Sequence, residues 1–500
     1  MFDMGGLKLD KKMAEQTLKE KTAKGLFWGG LNGGIQQLLN LFFGIFLARL
    51  LSPGDYGMIG MLGIFMGLAT VLQDSGFGTA LINRKEIKHE DYNSVFWFSL
   101  SIGCICYVVL FFCAPLIASF YKKPELVNLS RVLFLWFLIS STSIAHSALL
   151  TKKLMVRERT KIEVSALFVS GTVGIILAYN GFSYWGIALQ TVIHAFIGSV
   201  LRWYYVKWRP TYSFELGPLK EMFSFGVKIM FTSIFSQINA NIFSVLLGRF
   251  YKEDQVGYYT QGNKWMTMGY TFIWGMIGNV SLPVLSEVSC DVKRQQKVFR
   301  KMLRFVSFIS FPAMLGLAFV AKELIVISVS DKWLPCVPVM QLMCIWGAVM
   351  PISNLYTHVL LSHGKSNLFL YNTIILGIVQ LVVVVSLLSL GIYYMVLAFV
   401  VVNILWMFVW HYFVNKCVEI SIVDAAKDIL PFGLISLIVL CITYFVTMSI
   451  SNIYLLLVTK VLFAAFLYSF FMYLTNSVIF KETFDFFIKK NKYRRMPKNK

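Results

Sequence analysis

The sequence carries few charged residues for its length. Asp, Glu, Lys and Arg make up 14% of the 500 residues, whereas 57% are hydrophobic and 16% are aromatic. Soluble domains average about 25% charged and roughly 45–50% apolar residues, so this chain lacks the polar groups to cover a water-exposed surface. The high aromatic and apolar content also excludes intrinsic disorder. The class that remains is a polytopic membrane protein.

Cysteine and metal-binding patterns are equally scarce. Eight cysteines are spread along the chain without a Cys-x-x-Cys pair or a Cys/His cluster, which argues against a disulfide scaffold, a zinc site or a redox centre. No Asp-x-Asp occurs, and His358 and His363 are not spaced to place two ligands on one helix face. We therefore predict no metal, no cofactor and no catalytic residues.

The hydrophobic residues form blocks of helical length. About 20 apolar residues span a bilayer as a helix, and long runs such as 376–390 do not alternate in polarity as the strands of a membrane barrel would. The sequence therefore predicts an all-α polytopic membrane protein with about 14 transmembrane helices. The predicted spans are 25–48, 57–82, 92–120, 128–150, 162–180, 182–206, 222–248, 257–285, 303–321, 334–361, 367–390, 392–414, 429–450 and 452–480.

The net charge of +21 follows membrane topology and does not indicate a nucleic-acid partner. When alternate connections are assigned to opposite faces, one face carries 35 Lys and Arg residues and the other 8, with Lys228, Lys264 and Lys460 inside spans. Basic residues collect on the cytoplasmic side, so both termini are predicted to be cytoplasmic. The basic tail is interpreted as a topology signal near anionic lipid.

A weak internal repeat relates the first span to the seventh. At an offset of 200 residues, Gln37 matches Gln237 and Gly57 matches Gly257. The offset is an even number of helices, so both halves have the same orientation, a parallel pseudo-repeat that suits alternating access around a central site. The predicted segments are a cytoplasmic N-terminal segment 1–24, an N-lobe of helices 1–6 at 25–206, an inter-lobe loop 207–221, a C-lobe of helices 7–12 at 222–414, helices 13–14 at 429–480 and a basic cytoplasmic tail 481–500.

Three short segments carry a family resemblance. Residues 48–57 read ARLLSPGDYG, residues 74–82 read DSGFGTALI and residues 181–186 read GFSYWG. In this order and at these helices they resemble the signatures of the polysaccharide (O-antigen, capsule and colanic-acid type) flippases, within the multidrug/oligosaccharidyl-lipid/polysaccharide exporter superfamily. The resemblance covers roughly residues 20–480 and implies the same architecture of 14 helices in all, six in each of two lobes and two at the C-terminus.

The resemblance also implies a function. Such flippases move an undecaprenyl-diphosphate-linked oligosaccharide to the outer leaflet of the bacterial cytoplasmic (inner) membrane, for capsule or lipopolysaccharide, without acting as enzymes. The expected partners are this cargo, membrane lipids, a polysaccharide polymerase and glycosyltransferases. One alternative is a small-molecule (multidrug) exporter of the same superfamily. A membrane glycosyltransferase or polymerase is a further alternative, although its large polar loop with clustered carboxylates or histidines is absent from the sequence.

Cargo with an apolar tail, a diphosphate and a glycan requires a polar, basic route through the membrane. An ionised side chain at mid-bilayer costs about 2.5–3.5 kcal/mol on insertion scales, so those present should face a cavity. Amides suit glycan hydroxyls and cations suit phosphate; alternatively, amides join helices and long cations snorkel to the interface. Lys460 is expected to be a mild, non-cargo position. The candidate cargo-binding residues are Gln37, Asn40, Arg49, Lys228, Gln237, Asn241, Arg249 and Lys264.

Two acidic residues are candidates for gating or coupling. Asp74 lies near the inner end of helix two, and Glu163 begins helix five, where we expect a local pair with Lys161 or Arg159. The family commonly has a basic residue and an aspartate in helix seven. Here Phe243 stands at the aspartate position, so a coupling ion that uses that carboxylate is not transferred to this chain.

Overall fold

The computed structural model describes residues 33–74, 81, 87–153, 155–212, 216–475 and 479–481. The predicted N-terminal segment 1–24, nearly all of the basic tail and the middle of the 74–82 motif lie outside the described residues. Asp74 and Lys228 are described by their backbone alone.

Every regular element among the described residues is helical. The first eight helices are α1 Gly33–Leu50, α2 Pro53–Asp74, α3 His89–Tyr121, α4 Leu126–Leu133, α5 Leu135–Ser141, α6 Ile144–Lys152, α7 Val156–Tyr179 and α8 Trp185–Tyr205. The next nine are α9 Leu216–Phe250, α10 Glu253–Glu287, α11 Val292–Phe319, α12 Ala321–Ser328, α13 Cys336–Ser362, α14 Ser366–Ser386, α15 Ile392–Val418, α16 Ile422–Thr447 and α17 Ile453–Leu474.

Most of these helices are long and apolar enough to cross a bilayer. Eleven pass that test by length and composition among the described residues, and the bent segment from α4 to α6 raises the number to 12. The helices α8 and α9, with 21 and 35 residues, also reach the length of about 20 residues that a span requires. The chain is a multi-pass membrane protein, and the predicted count of 14 is compatible with its structure.

The fourth predicted span, 128–150, is not one continuous helix. The structure divides it into α4, α5 and α6, with a bend of 47° between Leu126–Ser141 and Ile144–Lys152. The bend coincides with four consecutive hydroxyl side chains at 140–143, which donate to backbone carbonyls three residues earlier. Such side chains compete with the helix for its carbonyl acceptors, which is the physical reason for the break.

The chain divides into two compact units at Gly257 and Tyr258. In the first unit, α9 packs along α2, and α7 packs along α8. The lobe boundaries expected at 206 and 222 remain a prediction.

The second unit is built around a buried core to which α10, α11, α13, α15 and α16 contribute. Phe299 of α11, Tyr356 of α13 and Trp410 of α15 are all nearly inaccessible, and Ala425 and Ile429 of α16 close the same cluster. Further along α16, helix α17 packs through Tyr468, whose hydroxyl donates to the Phe308 carbonyl at 2.9 Å. The two C-terminal helices are therefore integral to this unit.

Candidate functional site

The segment 48–57 builds the start of α2. The backbone N–H and the hydroxyl of Ser52 both donate to Asp55 Oδ2 at 2.8 Å, and the Asp55 N–H donates back to the Ser52 hydroxyl at 3.2 Å. This reciprocal pair is a capping box, with Pro53 at the first helical position. The Ser183 hydroxyl donates to the other carboxylate oxygen of Asp55, so the motif also joins α2 to the turn before α8.

Two glycines related by the offset of 200 make equivalent contacts. A Cβ on Gly57 would overlap the backbone carbonyl of Glu253, and a Cβ on Gly257 would overlap the backbone carbonyl of Pro53. All four residues belong to the first unit, where the starts of α2 and α10 cross in direct backbone contact. The repeat in the sequence therefore corresponds to a repeat in packing.

The two candidate arginines differ in their surroundings. The Arg249 guanidinium donates to the Phe120 carbonyl at the end of α3 and lies 5.3 Å from the centre of the Phe120 ring. A cation at a helix C-terminus is stabilised by the helix dipole. Arg49, its counterpart in the repeat, is exposed at the end of α1. Arg249 therefore supports the end of α3, and its contact with cargo remains a prediction.

The amides of α9 fill space beside glycines of α2. Asn241 Nδ2 donates to the Gln237 carbonyl at 2.9 Å and contacts Gln237 Oε1 at 3.2 Å. A Cβ on Gly67 would lie 2.5 Å from Gln237 Oε1, and one on Gly63 would lie 3.1 Å from Asn241 Oδ1. This geometry is that of a small-residue helix contact joined by polar side chains. It favours the alternative in which these two amides join helices.

The other candidate amides lie on α1. Gln37 is half-buried and Asn40 is exposed, and their spacing of three residues places them on the same side of the helix. An exposed amide on a membrane-spanning helix is available to a polar partner, as the cargo hypothesis requires.

The other candidate cations of the cargo route belong to different units. Lys264 is half-buried on α10 in the second unit, whereas Lys228 and Arg249 belong to α9 in the first. Asp74 is the last residue of α2. The cargo roles of Lys264 and Lys228 and the gating role of Asp74 remain predictions.

The local partner expected for Glu163 is wrong. Glu163 Oε1 accepts from Arg202 Nη2 of α8 at 2.5 Å, and both side chains are about four-fifths buried, at 20% and 18% exposed. Residues two apart on a helix do not face each other, so Lys161 points elsewhere, 6.0 Å from the Tyr205 ring. The tight α7–α8 packing presents Arg202 instead. Glu163 thus ties two neighbouring helices.

Lys460 is also different from expectation. Its Nζ donates to Glu323 Oε1 of α12 at 2.7 Å, with both side chains about 10% exposed, and it lies 4.5 Å from the centre of the Phe319 ring. Glu323 Oε2 has no hydrogen-bond partner among the residues that the structure describes. A buried pair of this kind is sensitive to loss of either partner, so Lys460 is unsuitable as a mild control position.

A cavity opens beside this ion pair. It has a volume of about 460 Å³ and lies between α11, α16 and α17, with Gly316, Leu440, Ala464 and Ala465 among its walls and Lys460 at its edge. Most of its lining is apolar, with the hydroxyls of Ser436, Tyr468 and Ser469 as exceptions. This chemistry suits a hydrocarbon chain with a polar end.

The family of polysaccharide biosynthesis proteins matches residues 46–338, more than half of the chain. The match contains the α2 start, the α9 amides and the α7–α8 pair described above. The chain belongs to this family. The resemblance drawn from the short signature segments is therefore confirmed. Helices α16 and α17, with Lys460, lie beyond the matched segment, whereas the α11 wall of the cavity lies within it.

A relative and two solved structures extend the comparison. The chain is 28% identical over 305 residues to the teichuronic acid biosynthesis protein TuaB of Bacillus subtilis (strain 168), covering 61% of this chain and 63% of that protein. The fold is similar to lipid II flippase MurJ in an inward closed conformation (TM-score 0.69, 18% identity, 93% of this chain and 99% of that chain). It is also similar to an inward-facing multidrug resistance MATE family transporter of the MOP superfamily (TM-score 0.64, 18% identity, 77% and 94%).

Sequence reasoning missed two features that the family-matched and C-terminal segments supply. Gly57 and Gly257 each contact a backbone carbonyl of the other helix start. The sequence repeat could have indicated this, since it matches the two glycines at the same offset. The Glu323–Lys460 pair had a weaker signal, an isolated charge inside an apolar span, which is a marker of a buried partner.

No group of three or more His, Cys, Asp or Glu side chains that could hold a metal occurs in the part of the chain that the structure describes.

Proposed function

We propose that this chain is a flippase that moves a polyprenyl-diphosphate-linked oligosaccharide from the cytoplasmic to the outer leaflet of a bacterial inner membrane. It would act by alternating access for surface polysaccharide biosynthesis, without chemical turnover of the cargo. The family match supports polysaccharide biosynthesis as the process. Polymerases and glycosyltransferases of the same process would be its neighbours.

The observation that carries the proposal is the share of this chain that each similar fold covers. The fold of a lipid II flippase covers 93% of this chain, whereas that of the multidrug transporter covers 77%. The chain also has α16 and α17, which with α11 border an apolar cavity of about 460 Å³. Such an apolar site beside the polar route suits a long polyprenyl tail, which the cargo of a small-molecule exporter lacks.

Complementation provides the direct test. In a strain that lacks its own flippase, the intact chain should restore surface polysaccharide and prevent cytoplasmic accumulation of the lipid-linked oligosaccharide. Restored drug resistance without restored polysaccharide would instead support the small-molecule exporter. Restored polysaccharide, together with formation of a new glycosidic bond by the purified chain, would support a transferase.

Lys264 provides the residue-level prediction for cargo transport. A fixed cation lowers the barrier that a diphosphate meets in the low-dielectric interior, so Lys264→Glu should nearly abolish export and Lys264→Ala should reduce it strongly. Lys264→Arg should retain most of the activity because it keeps the charge. The measurement is surface polysaccharide divided by the amount of folded protein in the membrane.

The exposed Lys322 of α12 is the matched control, and Lys322→Ala should export normally. Arg249→Ala is expected to reduce export as well, but it also removes the hydrogen bond to the Phe120 carbonyl. Lys264 is therefore the sharper test. Normal export by Lys264→Glu would remove this residue from the cargo route.

The topology proposed here has both termini in the cytoplasm. Reporter fusions after Lys161 and after Lys500 should behave as cytoplasmic, and a fusion after Lys252 should behave as external, because basic residues stay on the cytoplasmic side. Alkaline phosphatase and fluorescent-protein activities measure the two locations. An external C-terminus would contradict an even number of spans.

A further inference from the structure

A second cavity of the C-terminal unit lies on the side of α16 that faces α13 and α15. It has a volume of about 370 Å³ and is lined by apolar side chains, among them Ile352, Met407, Ala426 and Leu430. A shallower hollow of about 400 Å³ on α16 shares Ala426 and Leu430 with it and adds Lys427. We call the two together the α16 groove.

The α16 groove has the dimensions of a single hydrocarbon chain. At about 30 Å³ for a water-sized group, its inner part holds on the order of 12 methylene-sized groups. Along α16 its lining runs from Ile422 to Leu430, which is about 12 Å at 1.5 Å per residue. The groove therefore follows the helix axis, as the acyl chains of the surrounding bilayer do.

One polar group in the groove lacks a partner. His411 is 8% exposed, and its Nδ1 lies 3.3 Å from the Tyr356 hydroxyl. Its Nε2 has no hydrogen-bond partner among the described residues, which is costly for a buried polar atom. With the Tyr356 hydroxyl donating to Nδ1, the ring proton sits on Nε2 and makes it a donor. A carbonyl group on the occupant of the groove would satisfy it.

Cations of α11 and α16 lie near the α16 groove. Arg300 Nε and Arg304 Nε of α11 both hold Asp428 at 2.6 Å, and Arg300 also lies 3.6 Å from Asp424, so these two guanidinium groups are paired with carboxylates. The neighbouring residue Lys427 is exposed and lines the shallower hollow. Further exposed cations in the first turns of α11 are Lys293, Arg294, Lys297 and Lys301. A phosphate would be attracted to Lys427 and these exposed cations.

We propose that the α16 groove binds an anionic glycerophospholipid of the bilayer. One acyl chain would lie against Ile352 and Met407, an ester carbonyl would accept from His411 Nε2, and the phosphate would meet Lys427. An apolar wall, a single donor and a cation are the features that the acyl chain, the ester and the phosphate of such a lipid would contact. This site lies at residues 422–430 of α16, whereas the cavity at Lys460 is lined by residues 436–440 of the same helix. It does not rest on the proposed flippase function.

Native mass spectrometry of the full chain in detergent tests the site. The probes are phosphatidylglycerol, phosphatidylcholine and an ether-linked phosphatidylglycerol, which lacks the ester carbonyl. We expect phosphatidylglycerol to bind best. Ala426→Trp should lower its binding at least tenfold by filling the groove. Lys427→Gln should lower it about fivefold, the factor equivalent to ~1 kcal/mol for one basic residue near an anionic surface.

Matched controls separate this groove from general lipid binding. Lys416→Gln removes an exposed cation near the end of α15 that lies over the Tyr412 ring, and Ala465→Trp fills the other cavity. Both should bind phosphatidylglycerol as the unaltered chain does. His411→Phe should abolish the preference for ester-linked over ether-linked phosphatidylglycerol, and a thermal unfolding curve verifies that each variant is folded.

Several results would overturn the proposal. Equal phosphatidylglycerol binding by a folded Ala426→Trp variant and the unaltered chain would place the lipid elsewhere. Displacement of bound phosphatidylglycerol by polyprenyl phosphate, with equal sensitivity to Ala426→Trp, would assign the groove to the cargo tail. If the full chain does not bind phosphatidylglycerol in the groove and a chain truncated after Lys481 does, the occupant of the groove is the segment 482–500.

Discussion

We expect Lys460→Ala to destabilise the protein by about 3–5 kcal/mol, the range for removal of one partner from a buried ion pair. The replacement leaves the Glu323 carboxylate, about 10% exposed, without its cation in a low-dielectric interior. It also removes the contact with the Phe319 ring. Thermal unfolding of the detergent-purified chain, followed by size-exclusion fluorescence, measures the loss.

A double replacement distinguishes lost pairing from lost charge. Lys460→Met together with Glu323→Gln removes both charges at similar volume and should recover most of the stability, because replacing a buried pair by neutral groups is often neutral or stabilising. Lys322→Ala, which removes the exposed neighbouring cation, should leave the unfolding temperature unchanged. A Lys460→Ala variant as stable as the unaltered chain would show that the pair is solvated in the membrane.

The second large effect is expected at the crossing of α2 and α10. Gly57→Ala and Gly257→Ala each place a methyl group into a backbone carbonyl of the other helix start, and a backbone atom cannot rotate away as a side chain can. Both should destabilise at or above the upper end of the ~1–3 kcal/mol typical of overpacking. The two variants should lose similar amounts because their contacts are equivalent.

Gly275 of α10 is the matched control for these two glycines. No atom lies within 4 Å of the position that its Cβ would occupy. Gly275→Ala should therefore be neutral or stabilising by up to ~1 kcal/mol, because alanine loses less backbone freedom than glycine in a helix. If all three alanine variants unfold at the same temperature, the crossing is not held by direct backbone contact.

The two predictions also bear on the pseudo-repeat. The Ser52–Asp55 capping box positions Pro53 and Gly57 at the start of α2, and residues 253–257 supply the partner surface. Residues Ser52, Pro53, Asp55 and Gly57 of the signature segment 48–57 thus have a structural role. Lys123, whose Nζ lies 2.7 Å from Glu253 Oε2, adds an ion pair at the same place.

The sequence by itself determined the class of protein, the approximate positions of most long helices and the family. Those properties depend on composition and on apolar runs long enough to span hydrocarbon, which are local and readable one segment at a time. The match of Gly57 with Gly257 was also readable, since a repeat is a pattern within one chain. The break in the span 128–150 was missed because four hydroxyls in a row change hydropathy little while they compete for backbone carbonyls.

The tertiary structure alone decided which charged and polar groups meet. Glu163 pairs with Arg202 across 39 residues and Lys460 with Glu323 across 137, and no local spacing rule relates such positions. The amides Gln237 and Asn241 face glycines of α2 for the same reason: their surroundings depend on which helix packs beside them. Helix packing is set by the shapes of whole surfaces, so partners of single residues emerge only when those surfaces are assembled.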